Sequence, residues 1–166
     1  DPGSSASASP GITLRPAAEF GLERIVPLYN RVWATHPMPM PLNGRRMAAH
    51  IDAYSVTLKA SRVAMTDESP PRLAGMALLA LRGQQAWIMG PSVAPEYRTQ
   101  GLGSRLLAEV LAQAASAGAT RAQVEVFAGD TEAFRFFTRH GFQARTNLIA
   151  LRRPPGRFVR HFADHQ

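Results

Sequence analysis

Leu102, Leu106, Leu107, Val110, Leu111 and Ala114 fall on a single helical stripe, and Gly101, Gly103 and Gly118 bracket it. Spacings of three and four bring side chains to one face of a 3.6-residue helix, so residues 104–117 are predicted to form an amphipathic helix on a core. Gly118 is placed to stop it. Ahead of this helix, residues 73–81 and 85–93 are rich in strand formers and are separated by Gly83, which predicts consecutive antiparallel strands. Strands feeding a strong helix through a glycine loop restrict the chain to a sheet with helices on its faces.

The remaining segments fit that frame. Ile12, Leu14 and Pro16 alternate with polar positions in a short strand, and Phe20, Leu22, Ile25, Val26, Tyr29, Val32 and Trp33 then recur at helical spacing. Pro27 lacks a backbone donor and is expected to kink or divide that helix, while the prolines at 37, 39 and 41 force a loop. A short helix is expected over about 45–54 and a strand over 62–65. Beyond Gly118, residues 120–127 read as a strand, Asp130 is placed to cap a helix over 131–139 that Gly141 ends, and 143–152 read as a last strand. No internal repeat is visible. The expected organisation is a flexible tail over 1–10, one domain over 11–153, and a basic tail over 154–166 that includes Phe158, Val159 and Phe162.

Composition narrows the chemistry. The 166 residues contain no cysteine, which removes disulfides, thiolate metal sites and a cysteine nucleophile, and agrees with a reducing, cytoplasmic setting. No stretch approaches the roughly 20 apolar residues that cross a bilayer. The formal charge of +7 is almost all arginine, since Lys59 is the only lysine. Such charge suits nucleotide phosphates, attracts nucleic acid by counterion release, or simply forms a solvated basic surface.

Gly101-Leu102-Gly103 directly before a helix exposes N–H groups at the positive end of a helix dipole, which suits a phosphate or pyrophosphate, although glycines there also serve as plain turns. Two nucleotide-binding patterns fail at this place. A Walker loop needs Gly-Lys-Ser/Thr, whereas Ser104-Arg105 follows Gly103. A dinucleotide fingerprint needs a third glycine where Leu106 stands, and the approach contains Pro91 and Pro95.

The segment Pro91-Ser92-Val93-Ala94-Pro95-Glu96-Tyr97-Arg98-Thr99-Gln100-Gly101-Leu102-Gly103-Ser104 resembles the acetyl-CoA signature of the GNAT N-acetyltransferase family, an Arg/Gln-x-x-Gly-x-Gly/Ala loop after a strand. Further on, Asp130-Thr131-Glu132-Ala133-Phe134-Arg135-Phe136-Phe137 with the later Gly141-Phe142 resembles that family's Asn-x-x-Ala-x-x-aromatic-Tyr segment ending in Gly-Phe. The resemblance implies an α+β fold, with a central mixed, mostly antiparallel sheet of six to seven strands flanked by about four helices. It also implies a bulge that splays the strand before the loop from the next strand, the pantetheine arm entering the gap.

By the same resemblance, acetyl-CoA is the cosubstrate. Ser92 and Val93 offer backbone groups to the pantetheine, and Arg98, Thr99, Gln100, Gly101, Leu102, Gly103 and Ser104 wrap the pyrophosphate. Two positions depart from the family. Phe137 stands where relatives have a tyrosine thought to protonate the leaving thiolate, so Tyr97, Thr138 or water is left for that task. Asp130 replaces asparagine and caps its helix with or without touching CoA.

Acetyl transfer needs an acceptor for the ammonium proton, and Glu125 is the candidate base, with a solvated or salt-bridged carboxylate as the alternative. Tyr29, Trp33 and His36 lie in the region that shapes the acceptor pocket in relatives, and as aromatics at helical spacing they also fit ordinary packing. His140 beside Gly141 reads as structural. The expected function is acetyl transfer to a small amine or peptide by direct attack. The rivals are a CoA-binding domain without turnover and an arginine-rich nucleic-acid binder. A homodimer stays open.

Overall fold

The computed structural model describes residues 11–36 and 39–147. Five strands, β1 (Ile12–Pro16), β2 (Arg62–Thr66), β3 (Leu73–Arg82), β4 (Gln85–Val93) and β5 (Arg121–Val124), are joined in sequence order into one sheet. Pairings from β1 to β4 are antiparallel, and β5 runs parallel to β4. The helices are α1 (Leu22–Trp33), α2 (Gly44–Ala53), α3 (Leu102–Ser116) and α4 (Thr131–Arg139). The fold is the expected α+β class. The chain divides into two compact units: the first runs to Gly129 and holds the whole sheet with α1, α2 and α3, and the second begins at Asp130 and holds α4.

In the first unit, β3 is buried without interruption from Leu73 to Ala80, which requires cover on both faces of the sheet. The stripe of α3 supplies one cover: Leu102, Leu106, Leu107, Val110 and Ala114 are buried against β2, β3 and β4. Each such leucine contributes about 2 kcal/mol by leaving water. Leu111 lies at the margin of the stripe, half-buried. Ile25, Val26 and Leu28 of α1 and Met47 of α2 are buried as well, and α1 packs on α2, β3 and β4. Buried polar groups are paired. The Ser61 hydroxyl donates to Thr57 O at 2.8 Å and accepts from Leu79 N at 2.9 Å.

Several expectations are corrected. Among the described residues the sheet has five strands, not six to seven. Residues 143–147 form no strand, and 148–152 lie outside the described residues, as do both expected tails, 1–10 and 154–166. The strand expected over 120–127 ends at Val124, because β4 turns away beyond Ile88 and offers no further ladder partner. Pro27 does not divide α1: it is exposed, its missing N–H leaves only the solvent-side Glu23 carbonyl without a helical donor, and buried neighbours on both sides hold the helix. The cap of α2 was not foreseen; the Asn43 side chain accepts from Arg46 N at 2.9 Å. Among the described residues no helix is long and apolar enough to cross a membrane.

Candidate active site

The site begins with a break in register. Met76 pairs with Ser92 and Leu78 with Met89, so between them the single residue Ala77 of β3 faces both Gly90 and Pro91 of β4. This is a β-bulge. Gly90 has φ +95°, and a Cβ there would stand 2.8 Å from Ser92 N and 3.1 Å from Met76 O, so only glycine fits. Residues 85–88 of β4 pair with 121–124 of β5, and from Met89 to Val93 the edge of β4 that would face β5 has no ladder partner. The strands part as the family resemblance implies. Ser92 is buried, and the Val93 carbonyl accepts from Arg98 Nε at 3.0 Å, which ties the loop back to the strand end.

Beyond β4 the chain makes a 3-10 turn (Pro95–Tyr97) and enters the glycine loop. Thr99 and Gly101 have φ of +62° and +74°, and Gly101 begins α3 with no side-chain cap. As a result the N–H groups of Thr99, Gln100, Gly101, Leu102, Gly103 and Ser104 donate to no acceptor among the described residues. Six consecutive free donors at the positive end of a 15-residue helix form an anion cradle. No acidic side chain occupies the first turn, and the terminal nitrogens of Arg98 have no partner among the described residues. The donor set fits a pyrophosphate.

The approach to the loop is fixed by side chains. Tyr97 is 5% exposed, and its hydroxyl donates to Glu68 Oε2 at 3.3 Å. Glu68 also accepts from Thr66 Oγ1 at 3.2 Å and lies 3.8 Å from Arg72 Nε. Burial, then the adjacent Glu68 charge and its hydrogen bond, push the Tyr97 phenol above its ordinary value. Arg31 of α1 reaches Glu96 Oε1 at 3.3 Å and Leu73 O at 2.9 Å, bracing the turn from the helix side.

Glu125 is exposed and follows β5 directly. Ile88 pairs with Val124, so Glu125 comes level with Met89, where the strands part. Paired residues of parallel strands share a face, so Gln123 and, one step past the strand end, Glu125 fall on the Met89 side. His50 of α2 reaches that side, its Nε2 lying 2.9 Å from Met89 Sδ. Burial lowers the His50 pKa. Tyr29, Trp33 and His36 form a connected stack: Tyr29 and Trp33 at 5.6 Å, Trp33 and His36 at 4.3 Å, and His36 edge-on to Phe127 at 5.8 Å. Burial raises the Tyr29 pKa.

The structure thus brings the stack to the exit of β5 and leaves the Tyr97 hydroxyl across β3 and β4 from Glu125, at the β2–β3 turn. In the second unit, Asp130 accepts from Ala133 N at 2.9 Å, which is the capping role. Phe137 is buried there between Phe136 at 5.1 Å and Phe142 at 5.3 Å. Sequence reading missed His50 and Phe127. The signals were present: Met47, His50, Ile51 and Tyr54 keep helical spacing, and Phe127 continues the alternation through Glu125. Among the described residues no group of three or more His, Asp or Glu side chains is placed to hold a metal ion.

A bulged strand, a glycine loop and a helix bearing free N–H donors define an acyl-CoA-binding fold of the acetyltransferase kind. The sequence model of the Acetyltransferase (GNAT) family matches residues 25–142, and the chain belongs to that family. Membership makes acetyl-CoA the cosubstrate. No curated protein sequence matches the chain. Solved structures share the fold. An acetyltransferase from Trypanosoma brucei is 20% identical with a TM-score of 0.66, over 86% of this chain and 99% of that one. The aminoglycoside N-acetyltransferase AAC(6')-Iy, solved in complex with CoA, is 19% identical with a TM-score of 0.65, over 89% and 98%. The ribosomal-protein-S18-alanine N-acetyltransferase from Escherichia coli is 19% identical with a TM-score of 0.64, over 82% and 80%.

Proposed function

We propose that the chain is an N-acetyltransferase that moves the acetyl group of acetyl-CoA to an amine by direct attack, in a reducing, cytoplasmic setting and within a single domain over 11–153. The observation that carries this reading is the run of six free N–H donors from Thr99 to Ser104 beside the parted strands β4 and β5. Those donors and the Arg98 guanidinium hold the pyrophosphate. The open edge of β4, including Ser92 and Val93, lines the pantetheine. Glu125, on the Met89 face at the point of divergence, takes the ammonium proton directly or through water. The amine nitrogen then bonds to the thioester carbonyl carbon, the carbon–sulfur bond breaks, and its electron pair leaves on sulfur.

Protonation of the thiolate falls to water. Phe137 has no acidic proton, the Tyr97 hydroxyl already donates to Glu68, and the Thr138 hydroxyl already donates to Phe134 O. With a thiol pKa near roughly 8.5, the leaving group departs without an obligatory acid. Phe137 also favours a second reading, in which the domain binds acetyl-CoA without turnover. A thiol-release assay over an amine panel separates the two. Glu125→Gln should lower kcat about 10²-fold, and Phe137→Tyr should preserve or raise it. Acetyl-CoA binding by both wild type and Phe137→Tyr with no thiol released from any amine would establish the second reading.

A further inference from the structure

We infer that the acceptor is a monoamine carried on an aromatic or planar apolar body, seated against the ring ladder Tyr29, Trp33, His36 and Phe127. The inference rests on the acetyltransferase reading and names the acceptor class of that same site. The ladder joins two segments far apart in sequence. Its rings touch in series at 5.6, 4.3 and 5.8 Å, from the third turn of α1 to the segment beyond β5.

These rings are not core. Phe127 is 40% exposed, and Tyr29, Trp33 and His36 all keep accessible surface, whereas Phe20 and Tyr97 of the same unit are buried. Open aromatic surface at the mouth of a strand gap is apolar area awaiting cover, and ring faces accept both another ring and an adjacent ammonium group. Phe127 lies two residues beyond Glu125, at most about 7 Å along the chain, so a ring held on the ladder leaves its amine within reach of one carboxylate.

Charge decides against a polycation. Several ammonium groups need several carboxylates, yet the chain carries a formal +7, and Glu125 is the only acidic residue within two positions of a ladder ring in the sequence. Glu96, which faces α1, is engaged by Arg31. One exposed carboxylate beside a wall of rings matches one amine on an apolar body.

The test is calorimetric binding of phenethylamine, butylamine and spermidine to the full chain in the presence of CoA, with thiol release from acetyl-CoA measured separately. Phenethylamine should bind at least about tenfold more tightly than butylamine, and Phe127→Ala, at an exposed position that folding tolerates, should cut that preference to about threefold or less. Trp33→Leu should reduce it similarly. Equal or tighter binding of butylamine or spermidine, or an unchanged preference in Phe127→Ala, would overturn the inference. The ring preference without thiol release from any amine would uphold the aromatic seat and remove the transferase reading instead. Thiol release with spermidine but not with phenethylamine would keep the transferase and overturn the acceptor class.

Discussion

The glycine loop and the aromatic ladder flank the same parted strands and are built from opposite materials. The loop works through backbone: six N–H groups, one residue and one glycine at positive φ, and a helix dipole, while the side chains of Thr99 and Gln100 bond only to their own turn. The ladder works through side chains, and its backbone comes from a helix end and an irregular segment. A backbone site depends on conformation and tolerates side-chain change. A side-chain site depends on residue identity. Fixed recognition of a constant cosubstrate suits the first, and selection of an acceptor suits the second.

The largest effect that would sharpen this contrast is expected from Gly103→Glu. A carboxylate in the first turn of α3 suits the helix dipole, so thermal stability should hold, but it places negative charge in the anion cradle. Acetyl-CoA affinity by calorimetry should fall at least about 10²-fold. An unchanged affinity would break the loop assignment. Gly101→Val comes next. A β-branched residue at φ +74° costs about 1–2 kcal/mol, and the loop should relax out of its donor geometry with roughly tenfold weaker binding. By contrast Thr99→Ala and Gln100→Ala should each change affinity by no more than about twofold, since both remove side chains the cradle does not use. A loss comparable with Gly101→Val would show that the loop is a side-chain site after all.

Much of the loop was legible in the sequence because its causes are local. The stripe of α3, the glycines before it and Gly118 after it lie within one short segment, and propensity and periodicity read such segments directly. The end of β5 was not legible, because it is set by the bulge at Gly90 and Pro91 in another strand, and so Glu125 was assigned to a strand that stops one residue earlier. The same limit hid the ladder's last ring and His50. His36 meets Phe127, and His50 meets Met89, only after distant segments are brought together. Pro27 taught the converse: a local rule for helix breaking yielded to burial of the residues around it.

Two smaller effects bear on the supports of the two regions. Tyr97→Phe deletes a hydrogen bond from the brace of the loop, and since Glu68 keeps Thr66 Oγ1, denaturant unfolding should show a loss of only about 1 kcal/mol with acetyl-CoA affinity nearly retained. On the ladder side, His50 has a folded pKa below its ordinary 6.5, so the folded chain binds fewer protons there than the unfolded one. Its contribution is fully present above that value and is lost as pH falls through it. A shallow drop in unfolding midpoint between about pH 7 and 5 should therefore be seen, and His50→Gln should flatten it.

Backbone amide NMR during an acetyl-CoA titration tests the central assignment most directly. If the six free donors hold the pyrophosphate, the largest shifts should cluster at the amides of Thr99, Gln100, Gly101, Leu102, Gly103 and Ser104, with a second group at Met89, Gly90, Ser92 and Val93 along the open edge of β4. Saturating acetyl-CoA that leaves those amides unmoved while shifting others would contradict it.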